Sequence, residues 1–392
     1  MDLSFTPEEV AFRDEVRRFF RTEIPAGIRR KVSEGRRLER EDYVTSQRIL
    51  NVRGWAVPHW PIEHGGQDWS AVQRYIFMEE LMQAAVPIPL QFNCFMVGPV
   101  IATFGNQAQK QRFLARAANL DDWWCQGFSE PGAGSDLASL KTRAVRNGDH
   151  YVVDGQKTWT TLGQYANWMF CLVRTDPEAR KQAGISFLLI DMASPGISVR
   201  PIITIDGKHE VNEIFLDGVK VPVENLVGEE NRGWDYAKFL LANERTGIAR
   251  IGMSKERIAR IKRLAKETPA GTGTMWDDME FRARLASVEI ELKALEITQM
   301  RVVAAQATRD PTRPDPASSI LKIKGSELQQ ATTELLVELA GPAAIGAARA
   351  DHSAADWADA ALPTYFNMRK VSIYGGSNEI QHNVIAKALL GL

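Results

Sequence analysis

The arrangement of apolar and polar positions changes character twice along the chain. In the opening stretch, apolar residues recur at helical spacing, and Val16, Phe19 and Phe20 extend one face. Thr6 reads as an N-cap, Pro7 suits the first helical position and Glu9 completes a capping box, with Phe5 and Val10 spaced as a hydrophobic staple. Pro25 predicts the stop. Loops rich in Pro, Gly and Trp, such as GWAVPHWPIEHGGQDWS, separate further helices up to about Asp122. Between about Trp123 and Gly228 the texture differs. The runs HYVVDGQKTWTT, GISFLLIDM and NEIFLDGVKVP carry the β-branched and aromatic residues of strands. Four dipeptides, Asn147-Gly148, Asp154-Gly155, Asp206-Gly207 and Asp217-Gly218, each predict a type I′ hairpin turn. Helical connections long enough for parallel crossovers are missing, so an antiparallel β domain is expected. From about Trp234 the helical period returns. Phe281, Leu285, Val288, Leu292, Leu295 and Val302 predict one long amphipathic helix. KETPAGTGT and RDPTRPDPAS read as breaks, and further helical runs are expected around 321–339 and 364–390.

The pattern therefore predicts an α+β multidomain chain: a helical domain over 1–122, a β domain over 123–232 and a helical bundle over 233–392. Composition supports a folded protein, with 44% hydrophobic and 25% charged residues in 392. A net charge of -1 offers no bulk attraction to nucleic acid or an acidic membrane. No apolar run approaches the roughly 18 residues of a membrane span. The start, MDLSFTPEE, has neither the basic nor the apolar part of a secretory leader. Cys94, Cys125 and Cys171 lie far apart and form no CxxC, which predicts core thiols in a reducing, cytoplasmic setting.

Several common chemistries are absent from the sequence. There is no GxGxxG after a strand, no GxxxxGK[ST], no HExxH and no GxSxG. Two other stretches carry candidate chemistry. WCQGFSEPGAGSDLAS offers bare amides at Gly132 and Gly134 and short hydroxyls at Ser129 and Ser135, suited to a planar polar edge or a phosphate. KTWTTLGQYANW places Trp159 and Thr161 on the same face of a strand. Taken alone, the first stretch is equally a connecting turn and the second a core tryptophan.

Together, FSEPGAGSDLAS, QKTWTT, GWAVPHWPIEHGG, LANERTG and IYGGSNEIQHNVIAKALLGL resemble the acyl-CoA dehydrogenase family, in the same order over essentially the whole chain. The resemblance implies a barrel-like middle domain and a four-helix C-terminal bundle. It also implies non-covalent FAD and an acyl-CoA thioester substrate, dicarboxylyl-CoA chains such as pimeloyl-CoA among the expected classes. By that resemblance Gln126, Phe128 and Ser129 meet the flavin ring, and Ser135 lies near the CoA side or the pyrophosphate. Trp159 flanks the flavin, Thr161 bonds near N5, Ser377 and Glu379 contact FAD, and Gly375 and Gly376 approach the substrate.

The family reaction needs a carboxylate to take the α-proton, and hydrogen bonds to the thioester carbonyl that stabilise enolate character. Many members carry that Glu at the position of Gly375, where this chain reads Tyr374-Gly375-Gly376-Ser377. Other branches place it on the first bundle helix before an Arg, which Glu244 and Arg245 match. Glu244 is therefore the expected base, with Arg245 supporting substrate geometry.

Homotetrameric members also carry Arg-x-x-Phe-Gly and Gln-x-x-Gly-Gly motifs that hold a neighbour's FAD tail. The first is missing here, and the second reads VELAGPAAIG, with Glu338 and Pro342 in place of Gln and the second Gly. A Glu repels pyrophosphate and a Pro lacks an amide donor, so a second, related subunit in a two-plus-two heterotetramer is expected. The resemblance implies an electron-transfer flavoprotein as acceptor. The alternatives are an acyl-CoA oxidase or nitroalkane oxidase-like enzyme, or a non-catalytic subunit of a heteromer.

Overall fold

The chain enters its first helix through the predicted capping box. Glu9 N–H donates to Thr6 Oγ1 (3.2 Å) and Thr6 N–H donates to Glu9 Oε2 (2.9 Å), with Pro7 opening the helix. The computed structural model describes residues 4–243, 247, 249–305, 316–348 and 357–391. The helices are α1 (Pro7–Thr22), α2 (Ala26–Glu34), α3 (Arg40–Val52), α4 (Ala71–Gln83), α5 (Gly98–Phe104), α6 (Gln107–Ala118), α7 (Gly233–Asn243), α8 (Ile251–Glu267), α9 (Met279–Ala305), α10 (Pro316–Ala340), α11 (Ala361–Met368) and α12 (Asn378–Leu390). The strands are β1 (Trp124–Gly127), β2 (Arg143–Asn147), β3 (His150–Thr161), β4 (Trp168–Arg174), β5 (Ile185–Asp191), β6 (Ile197–Ile203) and β7 (His209–Pro222), with a small hairpin of β8 (Pro269–Ala270) and β9 (Gly273–Thr274). The fold has a helical N-terminal part, a middle curled sheet and a helical C-terminal part. By internal packing the chain forms two units: residues 1–42, 69–88 and 245–392, and residues 43–68 and 89–244.

In the first unit α10 packs against α8, α9, α11 and α12. Their shared core includes Ile251, Ile258, Ile261, Phe281, Leu285, Leu292, Leu321, Leu328 and Leu335. The predicted stripe of α9 holds: Phe281, Leu285, Leu292, Leu295 and Val302 are buried and Val288 packs against the same cluster. Arg17 makes a two-pronged bond to Glu80 (2.8 and 2.7 Å), tying α1 to α4. The expected helical run over 364–390 is broken. After α11 comes a 3-10 turn (Arg369–Ser372), and Gly375 and Gly376 then take φ of +66° and +84° before α12 restarts. Two successive left-handed residues cannot continue a right-handed helix.

In the second unit the sheet order is β1-β4-β2-β3-β7-β6, with β5 beside β4. Most pairings are antiparallel, but β1 runs parallel to β4 over Trp124–Gly127 against Trp168–Cys171. The connection that permits this pairing is the β2–β3 hairpin itself rather than a helix. The core between the strands includes Tyr151, Val153, Met169, Cys171, Leu188, Ile190, Ile214 and Val219.

The four glycine dipeptides divide into two kinds. Gly148 (φ +64°) turns the β2–β3 hairpin, one residue later than expected: Asn147 pairs with His150, so the central pair is Gly148-Asp149 and only Gly148 is left-handed. Gly207 (φ +74°) turns the β6–β7 hairpin. Asp154-Gly155 and Asp217-Gly218 are not turns. They face each other in mid-strand where the β3–β7 register shifts, and Gly218 N–H donates to Asp154 Oδ1 (2.8 Å). A side chain at Gly155 would strike Thr142, so glycine is required there by contact rather than by chain reversal. All three cysteines are buried free thiols.

Candidate functional site

In the second unit, β1 delivers the residues of the first motif. Gln126 is half-buried on β1 opposite Phe170. Phe128 is buried and meets Phe170 and Phe187 edge-on (ring centroids 5.6 and 6.3 Å). Ser129 is half-buried, and Ser135 is exposed. Glu130 and Ala133 exchange main-chain hydrogen bonds (3.1 and 3.0 Å) and close the turn. Among the described residues, chain neighbours aside, no atom lies within 4 Å of where a side chain at Gly132 or Gly134 would begin. These glycines leave open surface rather than a tight internal contact.

The second motif joins the first through two links. Thr158 N–H donates to the Ser129 carbonyl (2.9 Å). Beside it, Lys157 is wholly buried, and its Nζ donates to Glu130 Oε1 (2.8 Å), the Leu172 carbonyl (2.8 Å) and the Phe128 carbonyl (3.2 Å). Glu130 also accepts from the N–H groups of Lys141 (2.7 Å) and Thr142 (2.9 Å). Burial pushes the Glu130 carboxyl up, but Lys157 and these donors outweigh it and hold the carboxyl below its ordinary value. Sequence reasoning missed Lys157: a lysine in a strand reads as a surface residue, and its partner lies 27 positions away.

Alternation fails at Trp159. The register of β3 against β7 shifts between Lys157 and Thr160, so two residues, Thr158 and Trp159, stand opposite one. Trp159 takes φ +59°, unusual for a bulky residue. The bulge leaves the indole 60% exposed between the buried Thr158 and Thr160. Thr161 is half-buried. Trp159 and Thr161 therefore share accessibility because of the bulge, not because of strand alternation. Thr160 Oγ1 is buried without a hydrogen-bond partner among the described residues.

In the first unit, Ser377 caps α12, its Oγ accepting from Ile380 N–H (3.4 Å). Glu379 stands exposed in the first turn, its carboxyl held below its usual value by a main-chain hydrogen bond and by Ser377. Gly375 and Gly376 precede the cap, flanked by exposed Ile373 and Tyr374. A side chain at Gly376 would begin 2.6 Å from Gln381 Nε2. Glu338, in the last turn of α10, pairs with Arg284 of α9, and burial pushes its carboxyl up. Glu244 and Arg245 lie outside the described residues.

These residues fit a flat, non-covalently held ring system. An exposed indole on a stiff bulge offers a stacking face. The half-buried Gln126, Ser129 and Thr161 offer polar edges, and the open space beyond Gly132 and Gly134 admits close approach to main-chain amides.

Comparison with known proteins agrees. Sequence models of the acyl-CoA dehydrogenase N-terminal, middle and C-terminal domains match residues 6–121, 125–219 and 231–390. Acyl-CoA dehydrogenase FadE26 of Mycobacterium tuberculosis is 34% identical, over 100% of this chain and 99% of its own. Acyl-CoA dehydrogenase IpdE1 of the same organism is 35% identical, over 85% and 83%. Among solved structures, the ChsE4-ChsE5 complex from Mycobacterium tuberculosis superposes with TM-score 0.84 at 33% identity, covering 100% of this chain and 99% of that one. The Tcur3481-Tcur3483 steroid ACAD superposes with TM-score 0.88 at 30% identity and the same coverage. With all three domain models matched in order and a full-length relative at this identity, the chain belongs to the acyl-CoA dehydrogenase family.

Proposed function

We propose that this chain is the flavin- and base-bearing subunit of a heteromeric acyl-CoA dehydrogenase acting on a bulky acyl-CoA thioester. The observation that carries the reading is the turn at Gly375-Gly376. It puts two exposed left-handed glycines where many family members carry a carboxylate, so the turn can offer main-chain N–H groups to a carbonyl oxygen but cannot take a proton. The base must come from another segment, and we assign it to Glu244, followed by Arg245 as a substrate-orienting cation. FAD supplies the hydride acceptor, N5, when bound. Trp159 would pack on the flavin face and Thr161 would bond near N5. Gln126, Phe128 and Ser129 would border the ring, Ser135 would serve the CoA or pyrophosphate side, and Ser377 and Glu379 would hold the cofactor from the start of α12. The chain's own work is to hold the thioester carbonyl on the Gly376 amide, to receive the α-proton on Glu244 and to keep the acyl Cβ facing the ring.

Two observations support a partner subunit. Helix α12 is rich in apolar residues, yet among its described residues only Gln381 is buried; Ile380, Leu389 and Leu390 are 37%, 63% and 70% exposed. Apolar surface on this scale marks a face that another chain covers. The two similar structures named above are each named as a pair of different subunits. One of them is a steroid enzyme by name, which favours a bulky acyl group over a simple dicarboxylyl chain such as pimeloyl-CoA. The proposed electron acceptor is an electron-transfer flavoprotein, and the buried free thiols support a cytoplasmic setting.

Glu244→Gln is expected to abolish dye-linked turnover while leaving the flavin spectrum intact; near-normal turnover would remove Glu244 from the mechanism. A panel of steroid-side-chain, dicarboxylyl and straight-chain CoA thioesters, run on the chain with and without a co-expressed related subunit, tests the rest. An active, fully flavinated homotetramer would overturn the heteromer. Stoichiometric peroxide from oxygen would place the chain among the oxidases.

A further inference from the structure

Helix α10 carries an anomaly on the side it turns toward residues 368–381. Ser319, Lys322, Ser326 and Gln330 follow at steps of three, four and four, which puts them on one stripe of the helix. The central helix of a bundle is expected to be apolar on such a stripe. Here Ser319, Lys322 and Ser326 are all buried to 3% exposure or less.

Every member of the stripe reaches the same segment. Gln330 Nε2 donates to the carbonyls of Met368 (3.3 Å) and Arg369 (3.2 Å). Lys322 Nζ donates to the Val371 carbonyl (2.9 Å) and to Asn378 Oδ1 (3.0 Å). Asn378 Nδ2 donates to Ser326 Oγ (3.0 Å). Ser319 Oγ donates to Gln381 Oε1 (2.8 Å), and Gln381 Nε2 reaches the Gly376 carbonyl at 3.5 Å. The anchors thus fall on both sides of the glycine turn, at 368–371 before it and at 378–381 after it, and Gln381 also reaches the carbonyl of Gly376 within it. A buried amine bears a desolvation cost. Burial pulls the Lys322 ammonium down to about 8, opposed only in part by Glu379. Elsewhere α10 buries leucines at comparable positions, such as Leu321, Leu328 and Leu335.

We infer that this polar stripe, with Lys322 at its centre, is a scaffold that fixes the left-handed Gly375-Gly376 turn, and that Lys322 is a positioning residue for the thioester carbonyl. The inference rests on the proposed carbonyl-holding role of that turn. Lys322 touches neither substrate nor flavin in this scheme; it acts through Val371 and Asn378.

The test compares Lys322→Met, Lys322→Arg and the milder Ser326→Ala in the flavin-loaded protein with any required partner present. Two readouts are taken: amide hydrogen exchange over 373–377, and kcat and KM in a dye-linked assay. Loss of a charged double donor is expected to raise exchange over 373–377 about tenfold or more and to lower kcat by a similar factor, with little change in KM. Arg, which keeps the charge and donors, is expected to recover part of both, and Ser326→Ala to give a smaller effect of the same kind. If Lys322→Met does not fold, Ser326→Ala carries the test. Unchanged exchange over 373–377 overturns the scaffold. Raised exchange with unchanged kcat also overturns the proposal, by removing the turn from the reaction, and so locates the error in the functional reading.

Discussion

Replacing Lys157 by Met would keep most of the side-chain volume and remove three hydrogen bonds at once, to Glu130, Leu172 and Phe128. Glu130, only 8% exposed, would keep two main-chain donors and lose its counter-charge. Breaking one side of a buried ion pair costs about 3–5 kcal/mol, mainly because the remaining charge stays out of water. The carbonyls of Phe128 and Leu172 would each lose a partner, about 1 kcal/mol apiece at most. We expect Lys157→Met to destabilise the sheet-bearing unit by about 4 kcal/mol at pH 7.

The pH dependence has a definite sign. In the native protein the Glu130 carboxyl sits below its unfolded value. Its contribution is therefore complete above the unfolded value and is lost as pH falls through the folded one. Without Lys157, burial dominates and raises the carboxyl instead, so the variant takes up a proton on folding and its deficit shrinks as pH is lowered from 7 toward 5. Glu130→Gln in the same background removes the stranded charge and is expected to recover about 2 kcal/mol or more. Denaturant unfolding followed by tryptophan fluorescence and flavin release, at pH 5 to 8, measures all of this. A Lys157→Met deficit within about 1 kcal/mol of zero at pH 7, or one the double variant leaves unchanged, would refute the reasoning.

Trp159→Gly is expected to stabilise the flavin-free protein by about 1 kcal/mol, because glycine adopts φ +59° without strain. The same variant should bind the flavin more weakly through loss of the exposed indole; apoprotein melting and flavin titration separate the two effects. In the first unit, Lys255 bridges Glu79 (3.2 Å) and Glu296 (2.6 Å), and Glu79 also accepts from Gly252 N–H (3.1 Å). Lys255→Ala should cost roughly 3 kcal/mol at pH 7 by leaving two carboxylates together. Burial already raises the Glu79 carboxyl, a cost that grows as pH rises through its ordinary range, so this variant should regain stability between pH 7 and 5.

What the sequence made legible was local or periodic. The Thr6–Glu9 box needs only four consecutive residues, and the α9 stripe repeats often enough to identify its buried face. The hairpins at Gly148 and Gly207 follow from dipeptide chemistry, although the exact central pair at Gly148 depends on strand register. The same chemistry misreads Asp154-Gly155 and Asp217-Gly218, because a left-handed or crowded glycine serves a bulge as well as a turn. Only the pairing of β3 with β7 decides between them, and that pairing joins residues about sixty positions apart. The parallel β1–β4 pair, the buried Lys157 and the α10 stripe were hidden for the same reason. Each draws its meaning from a partner distant in sequence. The motif residues Phe128, Ser129 and Trp159 were proposed from resemblance, which reports outcomes of such distant contacts without deriving them.

The bulge at Trp159 also constrains how the strand can vary. Upstream, Tyr151, Val153 and Lys157 are buried at odd positions; downstream, Thr158 and Thr160 are buried at even ones. One supernumerary residue has switched the parity of β3 midway. Deleting it would straighten the strand and keep Thr160 opposite Asn212, whereas straightening the strand at its present length would slip the register by one and turn the following threonines inside out. Here the count of residues is an inherited quantity in its own right, and mutagenesis that freely exchanges side chains between Lys157 and Thr160 should leave their number alone.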